Sequence, residues 1–306
     1  MSGSRNRLEP ANIDLTKIRH PHERLVVSLS VLGNAAIVAF AAALVYFAPE
    51  WLSSHGRVSR LVDEVRLAAV AVILLLPALG LLRLGRWAAF RENSVRLNRE
   101  QVPDLFDILE RQCITLGVDP PALYVSSLKD VGLSTSLATG GRRIIVLGPE
   151  LFAGLGRIQD RADAFEFITA YELGRLALGH ASWWEDVLLG YLKWIPVLRM
   201  PLVTVQTASR DRFAATLAPD GIRGLLLLVV GGDLLPHVDP AEFVRRVIRD
   251  DTPAGWAWLG RLGRDAPDFR ERVRELYRAG FLNLDLERVA GADDASAEDA
   301  HPPTSH

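Results

Sequence analysis

With one cysteine, Cys113, in 306 residues, the chain has no means of forming an intramolecular disulfide, and its thiol chemistry fits a reducing compartment. The setting of that cysteine, Asp107 to Cys113, reads as a helix, so the thiol is expected to be a small buried hydrophobe rather than a nucleophile. An excess of charge of either sign is missing too. At a formal net charge of -2 there is no global basic field, which disfavours nucleic acid as a partner. Neither a glycine-rich phosphate loop, nor a Ser/His/Asp order, nor a Cys/His cluster occurs, so nucleotide-binding, serine-hydrolase and zinc-finger chemistry have no sequence basis. Charge is also absent between Leu25 and Pro49, and that gap is the first positive signal.

At 1.5 Å per helical residue, the uncharged run from Leu25 is long enough for a hydrocarbon core of ~30 Å. It starts deep in the chain and lacks a small-residue cleavage site, so it is read as a span rather than a cleaved signal. A second run, Leu67 to Leu82, is shorter; Arg83 and Arg86 can snorkel, which extends it to about Trp87, with a kink expected at Pro77. The expected spans are therefore about 25–48 and 67–87. Arg5, Arg7, Lys17, Arg19 and Arg24 precede the first, and Arg83, Arg86, Arg91, Arg96 and Arg99 follow the second. The connecting loop holds only Arg57, Arg60 and Arg66, so the positive-inside rule puts both termini and the main domain in the cytoplasm.

Beyond the hairpin, Val102 to Leu116 has helical apolar spacing and stops at Gly117. Ala122 to Ser126 reads as a strand, and Arg142 to Leu147 as a second one entered by the turn Gly140-Gly141. Asp160 to about Gly179 reads as a helix. The expected domain layout is a cytoplasmic segment 1–23, a hairpin 24–88, a folded domain 89–282 and a disordered tail 283–306 with no apolar period.

The order of these segments resembles the HtpX and CAAX prenyl protease family of membrane zinc metallopeptidases. Ile18 to Glu23 looks like a segment that some members carry before the first span. Asn93 to Leu97 and Gln101-Val102-Pro103 look like the start of the peptidase domain, and Ile144 to Leu151 like its strand and turn. Tyr171 to His180 sits where the family has its zinc helix. Ala208 to Thr216 resembles the helix with the third ligand, and Pro267 with Arg272-Val273 resembles the closing helix. The resemblance spans roughly residues 18 to 282. It implies an α+β, mainly helical fold: an N-terminal two-helix transmembrane hairpin followed by a zincin-like helical domain with a small β-sheet.

In that family an HExxH helix places two histidines one turn apart on one zinc, with the intervening glutamate as general base. The matching residues here are Tyr171, Glu172 and Arg175, so the base position alone is kept. Allowing a one-residue gap near Asp211, the third ligand matches Arg212 and the aspartate four residues later matches Thr216. Between Ser209 and Ala218 the only carboxylate is Asp211. The family's Asn-Ala before the strand appears as Ser134-Thr135, and its histidine before the closing proline as Ala266. Arginine brings fixed positive charge where zinc needs a donor, so the resemblance implies a metal site that has been lost. An i,i+3 pair between Glu172 and Arg175 is expected to take its place, joined by Arg212.

His180, two and a half turns beyond Tyr171, is expected to cap or pack. His20 and His22 read as interfacial polarity, and Trp183-Trp184 as an aromatic membrane anchor followed by an apolar stretch, Val187 to Val205. Lys193, Pro196, Arg199 and Pro201 argue against a third span. The function expected from the resemblance is that of a pseudopeptidase in a bacterial cell membrane. It would need no cofactor, hold a protein or peptide partner, and use Ile144, Ile145, Val146 and Leu147 as the sheet edge that receives it. Two other functions fit the sequence: an active membrane metalloendopeptidase with a non-standard metal site, His180 included, and a structural membrane-assembly protein.

Overall fold

The computed structural model describes residues 14–52, 59–128, 133–139, 142–152, 162–189, 195–219, 224–226, 240–249 and 267–282. The tail 283–306, the turn Gly140-Gly141, Asp160, Lys193 and Ala266 lie outside them, as do Arg5, Arg7 and Arg57. The described elements begin with a short α1 (Leu15–Ile18), α2 (Glu23–Leu52), α3 (Ser59–Glu92), β1 (Ser94–Arg96), α4 (Pro103–Leu116) and β2 (Ala122–Ser126). They continue with β3 (Ser134–Thr139), β4 (Arg142–Leu147), α5 (Ala162–Ala177), α6 (Trp183–Leu188), α7 (Pro196–Leu217), α8 (Pro240–Arg249) and α9 (Phe269–Arg278). The chain is thus mainly helical with a small mixed sheet.

The uncharged run from Leu25 forms most of α2, and α3 packs back against it. Within α2, Glu23–Phe47 is long and apolar enough to cross a membrane, and only 17% of its apolar window is buried, which separates it from the core helix of a soluble domain. Leu25, Leu29, Leu32, Phe40 and Phe47 all face outward. The kink expected at Pro77 is present: Val62–Leu75 and Pro77–Glu92 meet at 43°, and α3 passes the same test only if the two pieces count as one broken span. The described helices therefore include one candidate span, or two on that condition.

In α4, Leu105, Ile108, Leu109, Gln112 and Cys113 are buried at spacings of three and four, which turns one face to the core. Gly117 ends the helix at φ +64°, letting its N–H and that of Val118 reach the carbonyls of Ile114 and Cys113. Burial pushes the Cys113 thiol up to about 11, in keeping with an inert packing residue.

The strands lie in the order β1-β2-β4-β3. β2 and β4 are parallel, with Ala122 opposite Ile144 and Val125 opposite Leu147; β1 and β3 flank them antiparallel. The expected edge, Ile144 to Leu147, is therefore corrected to an interior strand. All four of its apolar residues are buried, Ile145 and Leu147 in the main core and Ile144 and Val146 against Phe90 of α3. A strand covered on both faces reads as an unbroken apolar run, which is the physical reason for the error. The outer strands are β1 and β3, and β3 was expected only as part of a polar loop because Ser134 to Thr139 has little apolar alternation.

α5 is buried around most of its circumference, with Phe165, Phe167, Ile168 and Ala170 inaccessible or nearly so. Each large side chain buried this way contributes at most about 1.5–3 kcal/mol. α5 packs on α4, β3 and α7. Gly174 allows its close crossing with α7, since a Cβ there would lie 2.9 Å from Cδ1 of Phe213. This crossing fixes which residues of α5 and α7 meet.

Candidate functional site

Where α5, α7 and α9 converge, two guanidinium groups lie against the ring of Tyr171. The Arg210 and Arg272 centres lie 5.2 and 5.3 Å from its ring centroid. Arg272 donates Nε to Asp211 Oδ2 at 2.8 Å and a terminal nitrogen to Oδ1 at 2.6 Å, a bidentate pair with both partners buried. Burial works against the charge of Arg272, but the carboxylate of Asp211 outweighs it and raises its pKa further above the ordinary arginine value. Asp211, the single carboxylate of its stretch, is thus committed to an arginine.

Arg212 does not turn toward Glu172. It binds Glu275 of α9 and lies 5.7 Å from the ring centroid of Phe281, so the expected convergence on Glu172 is corrected. Adjacent residues on a helix point about 100° apart, and the Gly174–Phe213 crossing rotates Arg212 toward α9.

The expected Glu172–Arg175 ion pair is not formed either. Ser134 Oγ donates to Glu172 Oε1 at 2.7 Å, and Arg175 donates to Thr135 Oγ1 at 2.6 Å. Burial lowers the pKa of Arg175, with Glu172 opposing through space. The two side chains do share a helix face, but each finds a β3 hydroxyl, which the sequence could not reveal while β3 was unread. Glu172 is 2% exposed, and its Oε2 has no hydrogen-bond partner among the described residues.

The outer edge of β3 is partly covered. Ala138 N–H donates to Ala181 O at 3.3 Å, and Arg83 donates to the carbonyls of Ala138 and Ala181. Backbone groups alternate along a strand, so Ser134 and Ser136 turn theirs the same way as Ala138. Thr135 lies on the opposite sheet face from Ser134, so Arg175 reaches it around this edge.

A second polar knot joins the start of α2 to the domain. Glu23, 1% exposed, accepts from Arg19, from Ser209 Oγ and, at 2.9 Å, from His180 Nε2. Arg19 also donates to Leu178 O at 2.7 Å, and His20 N–H to Ser209 Oγ at 2.8 Å. Serine, histidine and glutamate meet here, yet both Ser209 and His180 bind the same carboxylate, so the imidazole is not placed to activate the hydroxyl. His180 is a buried structural residue that follows Gly179 at φ +86°. His20 has Glu275 3.7 Å away and His22 beside it. The sequence reading missed Glu23; the available signal was a lone carboxylate at the mouth of an uncharged run.

His180 yields a pH prediction. Burial lowers its pKa, opposed by the hydrogen bond to Glu23. With its pKa below the ordinary 6.5, the imidazole takes up a proton more readily in the unfolded chain. Its contribution is full above 6.5 and is lost as pH falls below that value; His20, also lowered by burial, acts in the same sense. Melting temperature should fall between about pH 7.5 and 5.5, and less so in His180→Asn, which keeps a donor but does not titrate. Equal losses in both proteins would remove His180 from the account.

Among the described residues no three His, Cys, Asp or Glu side chains gather as a metal site. The residues at the zinc positions of the resembled family do not fit zinc: two of the three are arginines, and the neighbouring carboxylate Asp211 is bound to Arg272. Comparison with family models, curated proteins and solved structures finds no match for this chain.

Proposed function

We propose that the chain is a membrane-anchored pseudopeptidase, built like the HtpX and CAAX prenyl protease metallopeptidases, that holds a protein or peptide segment instead of cutting it. The observation that carries this reading is Glu172. It is a buried carboxylate at the family's general-base position, with one oxygen held by Ser134 and, among the described residues, no hydrogen-bond partner for the other and no metal donor set around it. An extended segment laid beside Ser134 to Ser136 would meet outward backbone groups and offer an amide N–H toward Glu172 Oε2.

In this reading α2 and the bent α3 are the two spans of a bacterial cell membrane protein, with the termini and domain in the cytoplasm. Trp183 and Trp184 support it: they stack at 3.7 Å and are 42% and 58% exposed at the start of α6, which packs against α2 and α3. Purified protein should carry no stoichiometric zinc, and chelator should leave its melting temperature unchanged. One zinc per chain, lost on chelation together with peptidase activity, would reverse the reading.

A further inference from the structure

On the face of the sheet away from α5, the end of α3 leaves a cleft of about 380 Å³. Its walls are Arg91, Arg96, Arg142 and Arg143, with Trp87 and the strand residues Tyr124, Ile144 and Val146 between them. No acidic residue lines it, and none of the four arginines has an ion-pair partner among the described residues. All four are exposed. Along β4 the side chain of Arg143 falls on the opposite sheet face with Ile145, near Cys113, so three cations, Arg91, Arg96 and Arg142, surround the cleft and repel one another, an arrangement that an anion relieves. A second observation concerns Ser94, which lines the same cleft and whose Oγ is buried and without a hydrogen-bond partner among the described residues.

The apolar part of the cleft continues up α3. Leu84, Trp87 and Arg91 are spaced three and four apart on one helix face, covering about 10 Å from an exposed leucine to a guanidinium. Apolar side chain, aromatic ring and cation follow in the order of acyl chain, interface and headgroup. A free phosphate would use the arginines but leave this stripe bare.

We propose that the cleft seats the headgroup of an anionic phospholipid, its phosphate held by Arg91, Arg96 and Arg142 with Ser94 Oγ donating, and its acyl chains along Leu84 of α3. The arginines supply forked, charge-assisted donors, and cytoplasmic leaflets supply such lipids. This rests on the reading that α3 ends at a membrane surface, and it is independent of the state of the zinc positions.

Native mass spectrometry of the full chain, extracted in non-ionic detergent, tests it with dioctanoyl phosphatidylglycerol and dioctanoyl phosphatidylcholine as probes. The glycerol lipid should be retained in preference to the choline lipid. Arg96→Gln with Arg142→Gln should reduce its retention about tenfold, whereas Arg249→Gln with Arg278→Gln, the same charge loss on exposed helices elsewhere, should not. Equal retention of the two lipids, or undiminished retention by the first pair, would overturn the site. So would inorganic phosphate displacing the glycerol lipid at equal concentration, which would assign the cleft to a free anion. Should the first pair fail to fold, phosphatidylglycerol must protect Arg96 and Arg142 of the unaltered protein from phenylglyoxal, and unchanged modification overturns the proposal. Recovery of the protein in the soluble fraction would overturn the membrane reading as well; undiscriminating retention by membrane-extracted protein removes this site alone.

Discussion

Asp211→Ala is expected to destabilise the domain by about 3–5 kcal/mol, because it strands the buried guanidinium of Arg272. The carboxylate is fully buried and binds Arg272 through both oxygens. Removing it also frees Arg272 from its position beside Tyr171, 5.3 Å from the ring centroid. The companion experiment is the double change Asp211→Leu with Arg272→Met, which leaves neither charge alone. It should cost well under the sum of the single changes, since the desolvation of both groups disappears with them. Denaturant unfolding of the two single variants and the double variant forms the cycle. Additive costs would mean that the two side chains do not act as a pair, and the assignment of Asp211 to a structural role would fall.

The second large effect belongs to Glu23→Ala. This change leaves a buried histidine N–H, a serine hydroxyl and the arginine Arg19 without their common acceptor. The cost should be on the order of 3 kcal/mol, concentrated where α2 meets α7. Glu23→Gln keeps an acceptor oxygen and the shape but loses the charge, and neutral hydrogen bonds are about half as strong, so roughly half the loss should remain. The readout is regional. Hydrogen exchange should rise in residues 15–23 and around His180 before it rises in the α4–α5 core, whose contacts do not pass through Glu23. Uniform loss of protection, or no loss, would count against Glu23 as the joint between hairpin and domain.

The Asp211–Arg272 pair stands at the convergence of α5, α7 and α9, near the positions that hold zinc in the resembled family. In the proposed reading a strong coupling there would hold the scaffold without a metal, since a bidentate ion pair with an aromatic neighbour joins α7, α9 and α5. The Glu23 knot ties the start of α2 to the domain, so in the proposed reading a partner seated near Glu172 would be held at a fixed place relative to the bilayer.

Local order was legible in the sequence. The uncharged run from Leu25, the helical spacing of Val102, Leu105, Phe106 and Leu109, and the compact apolar segments 122–126 and 142–147 each encode a local pattern that a single element satisfies by itself, and each forms the element that it predicts. The bend at Pro77 belongs to the same class, because proline inside a helix removes a backbone hydrogen bond and crowds the preceding turn. β3 was lost because serines, threonines and alanine give a strand little to distinguish it from a loop; its pairing to β4 is a nonlocal event.

The partners of charged groups were not legible. Glu172 and Arg175 share a face of α5, and spacing alone favoured a pair; tertiary packing brought two β3 hydroxyls to them instead. Asp211 reads as a leftover carboxylate until α9 delivers Arg272 from 61 positions away. Glu23 acquires its role only when α7 and the end of α5 close over it. A side chain's period along its own element is set by backbone geometry, which every stretch of sequence carries within itself. Its electrostatic partner is set by how elements cross, and here one small residue, Gly174, lets α5 approach α7 closely enough to turn Asp211 and Arg212 toward different neighbours.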